Sequence, residues 1–154
     1  MKKIDNRLLN SVIEKSRSSL RRRTNFNFHD NENDTIQRML NIIQPYSYVR
    51  PHRHINPDKI EAFIILCGRA VVVEFDDKGD ILDYFLLDTR NRNYGVELTK
   101  RSWHTIIALE EDTVVYEIKE GPYIPLDDKD FAQWAPKEGD TITNAYIDEL
   151  RIWD

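Results

Sequence analysis

Three histidines and one glutamate carry the pattern with the clearest chemistry. His52 and His54 lie two apart in VRPHRHIN, Glu61 opens EAFIILCGR, and His104 falls in SWHTIIAL. Residues i and i+2 of a strand point to the same face, so the two neighbouring imidazoles converge on one side of a sheet. Imidazole nitrogens with one carboxylate suit a divalent transition ion of the Zn, Fe, Mn, Ni or Co group, and the sequence does not choose among them. Such a set leaves coordination positions open, as a catalytic or ligand-binding metal requires and a closed structural one does not.

A second group is polar. If RRTNFNFH is extended, Arg23, Asn25, Asn27 and His29 share one face, and Phe26 and Phe28 the other. Such a row is able to bind phosphate or sugar hydroxyls, because arginine matches phosphate in a bidentate way. The competing reading is an arm that buries its phenylalanines and solvates its polar side. Arg50 has the parity of His52 and His54 and is a candidate counter-ion for an anionic ligand, although Pro51 interrupts the strand. Tyr48 and Trp103 read first as packing residues, with a place at the pocket mouth as the alternative. His29 and Tyr48 are the outside candidates for a general acid or base, since Glu61 is expected to be taken up as a ligand. Cys67 has the parity of Glu61, Phe63 and Ile65, which would have it line the barrel; the competing reading is a small buried apolar filler.

These groups need elements to position them. An amphipathic helix is expected over residues 4–20, with Asp5 as N-cap, and a second over 34–43, where Ile36, Met39, Leu40 and Ile43 fall on one helical face. From Tyr46 onward the pattern becomes short strands, near 46–54, 61–67, 70–75, 81–87, 94–98, 103–109 and 113–119. Turn residues separate them: NPDK, Gly68, DDKGD, NRN, TKRS and EED. If the first two strands pair through NPDK, Glu61 arrives beside the end of the histidine strand, and His104 comes from the opposite wall. The coil-like run after Gly121 is expected to wrap the barrel and bury Tyr123, Phe131 and Trp134. A short terminal helix is expected to present Ile142, Tyr146, Leu150 and Trp153 on one face. The expected organisation is one structural unit, with a helical arm over 1–45, a barrel over 46–122, and a C-terminal wrap and helix over 123–154.

Composition narrows the class. The chain has 154 residues, 40% hydrophobic and 32% charged, which is enough for one cored domain. A net charge of −5 argues against a general nucleic-acid binder. No stretch approaches the roughly 18 apolar residues of a membrane span. The start does not read as a signal peptide, and the single cysteine asks for no oxidising compartment. A cytoplasmic protein is expected.

HisxHis, then Glu61, six intervening residues and Gly68, then a histidine in a TrpHisThr context, resembles the two metal-binding motifs of the cupin superfamily. That resemblance implies a mainly β fold, a cupin-type antiparallel double-stranded barrel (jelly roll) with N-terminal helices and a short C-terminal helix. It also implies one divalent metal ion held by His52, His54, Glu61 and His104. Two departures stand out. Six residues separate His54 from Glu61 where cupins have three or four, and Thr99-Lys100-Arg101-Ser102 replaces the Pro-x-Gly turn before the last histidine. The segment RRRTNFNFHDNENDTIQRMLNIIQPYSYVRPHRH, the GPY of 121–123 and DKDFAQWAPKEGD of 128–140 further resemble the WbuC family of cupin-fold metalloproteins. That family is associated with surface-polysaccharide (O-antigen) synthesis, which implies a sugar, sugar phosphate or nucleotide sugar as ligand.

Two functions remain open at this point. One is a metal-dependent enzyme acting on such a sugar; the other is a non-catalytic module that binds a small carbohydrate or organic acid. A homodimer is expected, because open sheet edges need cover.

Overall fold

The computed structural model describes residues 1–124 and 130–151. Helix α1, Asn6–Ser18, begins where Asp5 accepts the Leu8 amide at 3.0 Å, the N-cap expected from sequence. Ten strands follow: β1 Arg23–Asn27, β2 Ile36–Ile43, β3 His52–Arg53, β4 Glu61–Cys67, β5 Arg69–Phe75, β6 Ile81–Asp88, β7 Gly95–Leu98, β8 Trp103–Ala108, β9 Thr113–Glu120 and β10 Asp130–Phe131. Helix α2, Thr143–Leu150, closes the described chain. The strands form two five-stranded antiparallel sheets, ordered β1-β2-β9-β4-β7 and β10-β3-β8-β5-β6.

The hydrophobic residues separate into three packed sets. Phe63, Ile65, Val72, Leu87, Ile106 and Val115 fill the space between the sheets. On the outer face of the first sheet, α1 covers Leu40, Ile42 and Val114 with Val12, and Phe28 joins them. On the outer face of the second, Val71, Val73, Phe75, Trp103 and Ile107 pack against Ala132, Ala135, Ile147 and Leu150 of the C-terminal segment and α2. The described C-terminal residues thus pack on that face.

Three expectations are corrected. Residues 34–43 are not a helix: Ile36–Ile43 is a strand held on both sides, by β1 and by β9. Its Ile36, Ile42 and Ile43 are β-branched, and two strand partners outweigh a helical spacing of apolar residues. The sheet thus takes in parts of the segment expected as a helical arm. Residues 46–54 contribute only His52–Arg53 as strand. Cys67 does not face the barrel interior. A register shift between Ile65 and Cys67 flips the strand, and Cys67 packs under α1 with its thiol donating to the Asp112 carbonyl at 3.4 Å. The turn at Gly68 has φ +77, and a Cβ there would lie 2.4 Å from Thr113 Oγ1, so the close passage of the two strands requires glycine. Trp153 lies outside the described residues, as does the stretch 125–129 of the wrap.

Candidate metal centre

All three histidines lie on the second sheet or just past it. His52 and His104 are direct partners across β3 and β8, and His54 follows β3 by one residue. Glu61 comes from β4 in the facing sheet. The expected hairpin pairing of the first two strands does not occur; β4 pairs with β7 and β9 instead. The longer INPDKI connection is what carries the chain from one sheet to the other. His104 accordingly stands beside His52 and not on the opposite wall; Glu61 takes that place.

The four side chains are brought together. Each is at most 4% exposed, and one nitrogen or carboxylate oxygen of each lies within 4.8 Å of those of the others. Glu61 Oε2 is 3.2 Å from His54 Nε2 and 3.0 Å from His104 Nε2. Ligand atoms on a common ion with bonds near 2.1 Å are separated by about 3 to 4 Å, so the set is close to what one divalent ion needs.

Hydrogen bonds behind the rings set their tautomers. His52 Nδ1 lies 3.0 Å from the Arg50 carbonyl, and His104 Nδ1 lies 2.9 Å from the Ser102 carbonyl. A carbonyl only accepts, so Nδ1 carries the proton in both rings and Nε2 keeps its lone pair toward the centre. The Ser102 carbonyl is positioned by the TKRS turn, in which Arg101 takes the left-handed conformation (φ 66) and donates to Asp58. An arginine thus fills the turn position where a glycine is commoner. The lone pairs of His104 Nε2 and the Glu61 carboxylate, buried 3.0 Å apart, require a cation between them, either a proton or a metal ion. Burial alone would raise the Glu61 carboxyl. With a proton as that cation, hydrogen bonds from His104 and His54 and the charges of His104 and Lys119 prevail and hold it well below the usual carboxylate range. The residues present fit a divalent ion in number, type and spacing.

The cluster opens into a cavity of about 730 Å³ between the sheets. Its floor includes Phe63 and Ile106 from the barrel core. One wall is the row read from sequence: Arg23, Asn25, Asn27 and His29 all line it. Phe28 points the other way, into the cluster under α1, with Phe26 edge-on to it at 5.2 Å. His29 Nδ1 lies 3.0 Å from the Arg38 carbonyl and 3.1 Å from the Arg38 amide, so the β2 backbone fixes the ring on this wall. Arg50 lines the cavity too, donating to the Ala132 carbonyl at 2.6 Å with its guanidinium over the Phe131 ring.

Tyr48 is not brought to this site. It lies in the cluster beneath α2 and donates to the Pro136 carbonyl at 2.8 Å, and burial pushes its phenol up. Tyr123 and Phe131 depart from expectation in the other direction. Both line the cavity, and Phe131 is 41% exposed, whereas Trp134 packs on Trp103 and Phe75 as expected.

Several wall residues escaped sequence reasoning. Gln37, Met39 and Asn41 of β2 line the cavity, and a helical reading of that segment hid their alternation. Glu117 and Lys119 of β9 are only 7% and 4% exposed and also line it. Asn41 donates to Glu117, Lys119 Nζ lies 3.8 Å from Glu117 Oε1, and Lys119 stands opposite Glu61 in register. Their signal was present: both have the parity of the inward Val115.

Residues 4–87, more than half of the chain, match the family described as a domain of unknown function (DUF6016). The chain belongs to that family. No curated protein matches it significantly. Among solved structures, capsular polysaccharide assembling protein CapF from Staphylococcus aureus is similar with a TM-score of 0.57 and 20% identity, over 70% of this chain. This chain spans only 28% of that CapF chain. Rru_A2000 from Rhodospirillum rubrum, a cupin-2 domain, is similar with a TM-score of 0.53 and 16% identity, over 83% of this chain and 79% of that one. Protein SO0799 from Shewanella oneidensis has a TM-score of 0.54 and 8% identity, over 70% and 72%. At these identities the likeness shows the fold alone, and the fold of this DUF6016 member is that of the cupins. No helix among its described residues is long and apolar enough to cross a membrane.

Proposed function

We propose that this protein binds one divalent transition metal ion through His52, His54, Glu61 and His104 and acts on a sugar phosphate or nucleotide sugar in surface-polysaccharide synthesis, as a cytoplasmic WbuC-type cupin. The observation that carries the reading is the buried quartet at the base of an amide- and arginine-lined cavity. A bound divalent ion supplies Lewis acidity to a ligand oxygen. The chain's own residues supply the rest. Formal charges on the wall balance, with Arg21, Arg23, Arg50 and Lys119 against Glu32, Glu61, Glu117 and Glu138. A divalent ion therefore leaves the cavity positive and selective for an anionic ligand. Asn25, Asn27 and Asn41 offer the paired donors and acceptors that hydroxyls need. Glu117 and His29 are titratable groups on the wall outside the metal set, which a catalyst requires and a pure binder does not. The fold likeness to CapF, a capsular polysaccharide assembling protein, is in keeping with the substrate class.

The alternative is a non-catalytic carbohydrate or organic-acid binding module, favoured by the amide row, which recognises without transferring protons. Elemental analysis of protein purified without tag or chelator should find one equivalent of a transition ion. Incubation with sugar phosphates and nucleotide sugars, followed by NMR, then separates the two readings: turnover lost on chelation supports the enzyme, and saturable binding without turnover supports the module. A folded protein with no transition metal overturns both. We also propose a homodimer through β6, an edge strand that leaves Leu82, Tyr84 and Phe85 exposed.

A further inference from the structure

The mouth of the cavity holds a second arrangement of charge, away from the metal quartet. Arg21 grips Glu138 with both faces of its fork, Nε to Oε1 at 2.6 Å and Nη2 to Oε2 at 2.8 Å. Arg23 Nη2 donates to the same Oε1 at 3.0 Å, and its Nη1 reaches Ser47 Oγ at 3.3 Å. All three charged residues line the cavity. Two guanidiniums thus converge on one carboxylate and retain one excess positive charge. Arg23 is largely buried, and burial together with the charge of Arg21 lowers its pKa, so the pair is incompletely compensated.

We propose that Arg21 and Arg23 form a phosphoryl-binding subsite at the cavity mouth, which the Glu138 carboxylate occupies until a phosphorylated ligand displaces it. This deepens the reading above, taking from it only that the cavity receives a ligand. The choice of phosphoryl over carboxylate follows from competition. Glu138 is tethered, so it sits at the arginines with a high effective concentration. A carboxylate ligand repeats what Glu138 offers and gains nothing by replacing it. A phosphoryl dianion neutralises both guanidiniums and brings a third oxygen, in the bidentate geometry arginine favours. Glu138 belongs to the C-terminal segment, where Tyr48 holds Pro136 and the Lys137 amide is held by Asp140. Its neighbours are therefore anchored, and the side chain alone needs to move.

The test uses the full chain after chelation, with inorganic phosphate as the probe and calorimetry as the readout. Glu138→Gln removes the competing charge and keeps the shape. If Glu138 occupies the arginines about nine-tenths of the time, its removal tightens phosphate about tenfold. Arg23→Gln in the Glu138→Gln background should abolish that gain, and Glu138→Gln should bind phosphate far more tightly than acetate. Glu138→Asp, which keeps the charge but is too short to bridge both arginines, should show a smaller gain and serves if Glu138→Gln does not fold. Phosphate binding no tighter in either folded variant overturns the proposal, as does a gain that survives loss of Arg23, or acetate binding Glu138→Gln as tightly as phosphate does. Because the protein is metal-free throughout, failure here is distinct from failure of the metal reading, which elemental analysis decides.

Discussion

His52 and His104 face each other directly across β3 and β8, with ring centroids 4.5 Å apart, while the carboxylate that completes their cluster is contributed by the other sheet. An ion at that point joins two sheets whose strands do not pair with each other. Metal binding is therefore coupled to the packing of the barrel and not confined to a loop.

Metal removal should consequently lower thermal stability. At metal one-hundredfold above its dissociation constant, binding stabilises by about 2.7 kcal/mol, which for a chain of this size is roughly 5–10 °C in Tm. Scanning calorimetry before and after chelation measures this. His104→Ala should abolish the chelation-dependent shift, and a shift of undiminished size in that variant would remove His104 from the ligand set.

The helix α1 is tied to the β8–β9 turn through Asp112, which accepts from Arg17 Nε at 2.9 Å and from Gln44 Nε2 at 3.0 Å. The Arg17 hydrogen bond holds its carboxyl below the usual range, with Gln44 and the Arg17 charge assisting against burial. A depressed folded pKa gives stability that is present above the unfolded value near 3.8 and lost as pH falls through the folded one. Asp112→Asn, which tolerates the left-handed backbone there (φ 58), should cost about 1 kcal/mol at pH 7. In urea melts the difference between the two proteins should shrink as pH falls below the ordinary carboxylate range and through the depressed folded value. A difference that persists there would show that charge is not its source.

The legibility of this chain was uneven for physical reasons. Strands with one buried face, such as β4 and β9, were readable to within a residue or two because inward and outward residues alternate over most of their length. Segment Ile36–Ile43 was not, because its spacing of apolar residues fits a helix equally well and only its neighbours β1 and β9 decide. The four clustered residues were legible from type and order. Which wall each came from was not, since local pairing through NPDK is the default and the chain crosses between sheets there. Lining by Glu138 was invisible for a related cause, because it depends on a contact spanning more than a hundred residues.

Gly68→Ala should destabilise strongly. The residue has φ +77, and its missing Cβ would fall 2.7 Å from the Thr113 backbone as well as on its hydroxyl. Strain of about 1–3 kcal/mol is expected from the backbone conformation alone. Denaturant unfolding should show at least that loss, with metal content per folded molecule unchanged, since the turn lies away from the quartet. A neutral substitution would mean that the two strands separate easily at this point.

Lys119 and Glu117 should change metal affinity in opposite directions. Lys119 stands opposite Glu61 in register, and its charge helps to keep that carboxylate ionised, but it also repels a cation bound there. A unit charge on the same wall as a divalent ion interacts with it by several kcal/mol at an effective dielectric near 20, so even heavily screened it is worth about tenfold in affinity. Lys119→Met should therefore bind metal at least about tenfold more tightly in competition with a chromophoric chelator. Glu117→Gln should bind it more weakly, because it deletes a negative charge from the same wall and leaves Lys119 in place. Both variants should lose stability without metal, since each leaves a buried charge without its ion-pair partner. Equal shifts in the same direction would point to a general loosening of the barrel, whereas opposite shifts isolate the electrostatic effect.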